Sequence, residues 1–147
     1  MSIRLPKNGD IVALFIQFKR LMLYQIADYI LTIFHLFIIL FTLFGWFWLK
    51  TRKLHFIVVC ITLFCWLVLG IWFGVGYCPI TDWQWQLKES LGEKSLPASF
   101  VKYFADKISG RDIDAGVVDL FTGIGFLFAI FTACYFRFLY RKAVIRS

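Results

Sequence analysis

From Leu54 to Thr81 the chain runs without a single Asp, Glu, Lys or Arg. That one feature removes most of the folds open to a chain of this length. An uncharged stretch so long has no side for water and belongs in lipid, where crossing a hydrocarbon core of about 30 Å takes about 20 apolar residues. Two further segments meet the same requirement. Tyr29 to Leu49 has no formal charge and only His35 as a strongly polar interruption, and Val117 to Phe136 carries one acid, Asp119, in its first turn. Composition agrees: 61% of the 147 residues are hydrophobic, 20% aromatic and 17% charged, against about 25% charged in a soluble domain. The sequence therefore predicts an all-α integral membrane protein, a single membrane domain over 1–147 with transmembrane helices at about 28–49, 54–77 and 115–138.

Ahead of the first span, Ile11, Leu14, Phe15, Phe18, Leu21 and Met22 recur on one helical face, with Asp10 placed to cap it. This predicts an N-terminal amphipathic helix over about 10–27 that lies in the interface before the chain enters the bilayer near Asp28. A straight extension of the first span fits the same spacing. A cleaved signal peptide does not fit, because Lys19 and Arg20 follow a short apolar run with no small-residue cleavage site.

The segment 78–114 between spans two and three is too long to be a mere connection. It holds the signals of two short helices. In the first, Thr81 and Gln84 have capping-box spacing, Ile80 and Trp85 occupy staple positions, Trp83, Leu87 and Leu91 share a face, and Gly92 ends the helix. In the second, Pro97 suits a first turn, Phe100, Val101, Phe104 and Ile108 share a face, and Gly110 closes it. Both are expected on the membrane surface or over the bundle with their apolar sides down. Asp112 or Asp114 then caps the third span.

The net charge of +7 comes from 16 Lys and Arg against 9 Asp and Glu, and the basic residues sit mainly beside apolar segments. Charge so placed anchors helices at lipid headgroups and argues against nucleic acid as a partner. Lys50, Arg52 and Lys53 in the first loop and Arg137, Arg141, Lys142 and Arg146 at the C-terminal end stand without any acid. By the positive-inside rule the density of cations makes that side cytoplasmic and places 78–114 outside, against the opposing pull of Arg4, Lys7, Lys19 and Arg20 at the N-terminal end.

Ionisable groups at membrane depth are costly, so each is a candidate functional residue. Asp28, Thr32 and His35 fall at i, i+4 and i+7 on one face of the first span. Chain tracing brings Cys78, Thr81, Gln84 and Asp119 to the same end of the bundle. This polar cluster is the candidate site for a ligand or partner. The structural alternative is that the same groups only satisfy one another, with Asp119 favourable at a helix N-terminus and Thr32 bonded to its own backbone.

Other chemistry finds less support. His35 and His55 are expected about 20 Å apart in depth, His55 being interfacial, which disfavours a shared haem. No cofactor is predicted. Cys60, Cys65, Cys78 and Cys134 are too dispersed for a zinc site or a disulfide framework. Phosphate-cradling and hydrolase motifs are absent, so the reading leans away from an enzyme. Gly70 and Gly74 have the small-x-x-x-small spacing of a close helix contact, within the chain or in a homodimer.

Ala27-Asp28, His35, the basic turn ending at His55, Gly76-Tyr77-Cys78-Pro79-Ile80-Thr81 and Phe100-Val101-x-Tyr103 together resemble an uncharacterised family of small bacterial multi-pass membrane proteins. Its mark is a Cys-Pro-Leu-Thr element followed by an acid and a Leu. Here Ile80 replaces the Leu, Leu87 keeps register, and Gln84 stands where the acid does, which takes a general-base role from that position. The resemblance implies the helical bundle and the placement of Asp28, His35, Cys78 and Thr81, and no reaction. The leading expectation is a membrane protein that binds a partner protein or an amphiphile such as lipid or quinone through the polar cluster. The alternative is a small membrane enzyme or proton-coupled carrier with Asp28 and His35 as a relay.

Overall fold

A computed structural model describes residues 8–139 and contains five helices, with no strand among the described residues. Helix α1 runs Asn8–Phe44, α2 covers Arg52–Phe73, α3 is Pro79–Ser90, α4 is Phe100–Ser109, and α5 is Ala115–Cys134. Both α2 and the end of α5 widen into single π-helical turns, at Cys65–Leu69 and Tyr135–Leu139. Three helices are long and apolar enough to cross a membrane, α1 over Ile11–Phe44, α2, and α5 extended to Phe138.

Of the two readings of the N-terminal stripe, the structure has the straight extension: α1 passes Asp28 as unbroken helix, with no turn there. No Pro or Gly interrupts the chain between Asp10 and Phe44, so nothing competes with α1 for its backbone hydrogen bonds. At 37 residues α1 is about 55 Å long, well beyond the thickness of a hydrocarbon core. Its first turns carry the predicted apolar stripe, and Leu14, Phe15 and Phe18 are each more than 60% exposed. The helix already begins at Asn8, ahead of Asp10. The Asp10 side chain and the tail cations Arg141, Lys142 and Arg146 lie outside the described residues.

A small core joins α2 to α5. Val59, Phe126, Ala129 and Ala133 are buried in it, with Phe56, Leu63, Trp66 and Ile130 packed around them. Ala129 and Ala133 are one turn apart, and such small residues let the two helices approach closely, the dominant way helices associate in lipid. The Trp66 ring meets Phe126 at 4.6 Å between centroids.

The α1–α2 turn is closed by its own side chains. Thr51 Oγ1 donates to the Gly45 carbonyl at 2.7 Å and Arg52 Nε to the Trp46 carbonyl at 3.1 Å. Beside it His55 is fully buried rather than interfacial, its Nε2 lying 2.8 Å from the Thr42 carbonyl oxygen. His55 lies against Thr42 and Gly45, seven and ten residues beyond His35, so the two histidines stand about 10–15 Å apart along α1, less than the expected 20 Å. The difference arises because α2 begins beside the last turns of α1 and carries His55 inward.

Gly45 is needed here on steric grounds. A Cβ would stand 2.5 Å from the Phe41 carbonyl oxygen and 3.1 Å from His55 Cδ2, and the first of these is backbone that cannot rotate away. Gly45→Ala is expected to destabilise the protein by about 1–3 kcal/mol, as overpacking does. A thermal melt in detergent reads this, and an unchanged midpoint would contradict the packing described.

The glycine pair in α2 serves a different purpose from the one its spacing suggests. Gly74 lies past the end of the helix at φ 101°, and Gly70 is buried with its Cα facing Val75 of the same chain, 3.2 Å from where a Cβ would stand. Within the chain, the two glycines let it double back after α2.

Candidate functional site

Helix α3 starts three residues earlier than its capping-box signal. Cys78 is the N-cap with extended backbone and Pro79 takes the first helical position, so Thr81 and Gln84 are interior residues. Gln84 makes no cap; its side chain points into the molecule. The buried residues of α3 are Thr81, Gln84 and Lys88, a polar face, whereas Trp83 is 62% exposed. The expected orientation, apolar side down, is thus reversed. In lipid or at its surface an apolar side chain loses nothing by facing outward, whereas polar groups need one another.

That polar face meets the stripe on α1. Gln84 Nε2 donates to Asp28 Oδ1 at 3.0 Å and to Thr32 Oγ1 at 2.6 Å. Lys88 Nζ forms a salt bridge with Asp28 Oδ2 at 2.9 Å, and its side chain is 2% exposed. Both carboxylate oxygens of Asp28 are therefore occupied. Thr32 donates its own hydroxyl to the Asp28 carbonyl, 2.8 Å away, one helical turn back.

The end of α3 adds a second anion. Gly92, at φ 92°, sits where the helix turns back on itself, with Gly92 N bonded to the Glu89 carbonyl and Glu93 N to the Lys88 carbonyl, each at 3.0 Å. This is the double closure that glycine permits at a helix C-terminus. It returns Glu93 Oε1 to 3.2 Å from Lys88 Nζ, while Glu93 Oε2 accepts from the Tyr103 hydroxyl at 3.1 Å. The Tyr103 ring lies 4.6 Å from the same ammonium. Burial pulls the Lys88 pKa down, but the hydrogen bonds to Tyr103, Asp28 and Glu93 outweigh it and hold the ammonium above the ordinary lysine range. One buried cation thus ties α1, α3 and α4 together.

His35 forms the other half of the site. Its ring stacks on Phe100 at 4.1 Å with 11° between planes, and its Nε2 lies 4.0 Å from Cys78 Sγ. Phe100 is the first residue of α4, which is capped by Ser99 accepting from Lys102 N at 3.2 Å. Pro97 lies outside the helix, two residues before the cap, and its carbonyl accepts from Trp85 Nε1 at 2.7 Å. Asp114 caps α5 by accepting from Val117 N at 3.0 Å, whereas Asp112 pairs with Lys102.

Of the residues singled out from sequence, Asp28, Thr32 and Gln84 form one bonded group, and His35 and Cys78 form a second beside it. Asp28 and His35 share no hydrogen bond, being seven residues, about 10 Å, apart along α1. Thr81 is buried next to the network but has no hydrogen bond in it, and Asp119 is exposed and takes no part. Asp119 sits one position from Val118, the residue that α5 turns inward, and so faces away. Sequence reasoning missed Lys88, Glu93, Tyr103 and the stacking role of Phe100. One signal for Lys88 was present: Thr81, Gln84 and Lys88 fall at i, i+3 and i+7, a polar stripe to match the one on α1.

Two buried polar atoms in the site have no partner among the described residues, His35 Nδ1 and Gln84 Oε1. Asp28, Thr32, Lys88 and Glu93 are all paired, so these two atoms mark where the hydrogen-bonding capacity of the site is unspent.

Fold and site together define a three-span helical membrane protein in which a loop helix is latched to the first span by a buried ion pair. A family model described as Protein of Unknown function (DUF2784) matches residues 25–138, and the chain belongs to that family. The match takes in all the paired residues of the site. No curated protein and no solved structure gives a match.

Proposed function

We infer that the protein is a non-enzymatic bacterial inner-membrane protein that binds an amphiphile, a lipid or a quinone, under the cover formed by α3 and α4. On this reading 78–114 is periplasmic and the C-terminal end cytoplasmic, as the acid-free basic residues of the opposite end favour. The observation that carries the reading is the pair of unpartnered buried atoms, His35 Nδ1 and Gln84 Oε1. A buried polar group left unbonded costs about 1–3 kcal/mol; a headgroup hydroxyl donates to Gln84 Oε1, and a hydroxyl or quinone carbonyl oxygen accepts from His35 Nδ1–H, while the tail stays in lipid. Both atoms are covered, so entry requires α3 and α4 to part from α1, and the Lys88 latch sets how readily they do.

The test is native mass spectrometry of the full chain released from its membrane in mild detergent. The expected result is a retained lipid or quinone that is lost in His35→Leu. A bare chain from several membranes, or the same adduct on His35→Leu, would remove the proposal. A retained protein in place of the amphiphile would move the site to partner binding.

A further inference from the structure

At the end of the bundle away from this site, three helix ends converge on a stack of rings and cations. The Phe136 ring of the α5 π turn lies parallel to Trp46 at 5.7 Å, and the Arg52 guanidinium covers it at 3.9 Å. Arg137 lies 5.9 Å from the ring of Phe56 on α2. Lys50, Lys53 and Arg137 are exposed around this stack. The sequence holds no Asp or Glu between Tyr29 and Thr81 or beyond Asp119, so among the described residues no element packed here brings an Asp or Glu side chain to the patch.

The cations alternate with exposed apolar side chains. Phe47 is 68% exposed, Trp48 62% and Leu54 54%. A soluble anion would answer only the charge; a molecule with both a phosphate and acyl chains answers the whole surface. We propose that Lys50, Lys53 and Arg137, arranged on the Trp46–Phe136–Arg52 stack, form a binding site for the headgroup of an anionic phospholipid. A zwitterionic choline headgroup fits it less well, because its own cation is repelled. The rings fix the geometry: the stacked Arg52, which also donates to the Trp46 carbonyl, holds the first loop, which carries Lys50 and Lys53, against the end of α5 that carries Arg137. The site is independent of the amphiphile reading at the other end of the molecule.

The test is a competition on the full chain, stripped of lipid and offered equal amounts of phosphatidylglycerol and phosphatidylcholine with identical acyl chains, read by native mass spectrometry. Each basic residue near an anionic lipid contributes about a fivefold preference, so the triple variant K50Q/K53Q/R137Q is expected to lose on the order of 100-fold. Equal retention of the two lipids by the unaltered chain, or an unchanged preference in the triple variant, overturns the proposal. So does loss of the preference in inorganic phosphate when sodium chloride of the same ionic strength leaves it in place, which would mark a site for free phosphate. Should the triple variant fail to fold, the unaltered chain still decides. Its preference is expected to weaken as salt rises from about 0.05 M to about 0.5 M, where screening shortens below about 5 Å, and a salt-independent preference overturns the site.

Discussion

Lys88→Met is expected to lower the unfolding free energy by about 3–5 kcal/mol. Removing the ammonium leaves the Asp28 carboxylate buried against α3 with only Gln84 to answer it, and an uncompensated charge there costs far more than the lost contact. The double variant Asp28→Leu with Lys88→Met is expected to recover most of that loss, because a buried pair replaced whole is close to neutral. Denaturation in detergent measures all three variants. A loss below about 1 kcal/mol in Lys88→Met, or additive losses in the double variant, would contradict the buried pair. The pair also has a pH signature. The Lys88 pKa is raised on folding, so its contribution is complete below the ordinary lysine range and disappears only as pH climbs through the raised value. Stability is therefore expected to fall at strongly alkaline pH, and Lys88→Met is expected to make that fall shallower.

Phe100→Ala is expected to cost about 3–5 kcal/mol, as deletion of a buried aromatic ring does. Phe100 is 2% exposed and is the face on which His35 stacks. Its loss opens a cavity and frees the start of α4, and Cys78, held beside His35 in the same contact, becomes more accessible. Two readouts follow. The thermal midpoint falls, and Cys78 reacts faster with a maleimide in the folded protein, with Phe100→Leu intermediate in both. An unchanged alkylation rate in a folded Phe100→Ala variant would mean that the ring does not cover the His35–Cys78 contact.

The architecture was legible because it rests on local sums. Uncharged length alone sets the spans, and Asp28, Thr32 and His35 declare themselves as a stripe by spacing along one helix. Gly110 and Asp114 likewise act through neighbours within a turn, and both stand where the sequence puts them. Errors arose where a local signal competed with a distant partner. Thr81 and Gln84 have capping-box spacing, yet Gln84 bonds Asp28, 56 residues away, because a carboxylate at membrane depth has more to gain from an amide than a helix end exposed to water does.

What the sequence determined by itself is the solvent: a chain with so few charges must fold in lipid as helices, and its polar exceptions must gather. What only the tertiary structure decided is which side of α3 is the inside. Helical period gives a helix two faces but not their destinations, and beside a membrane the apolar face has two acceptable places to go. The polar face has one, against the stripe that carries Asp28, and the Asp28–Lys88 pair across 60 residues of chain settles the choice.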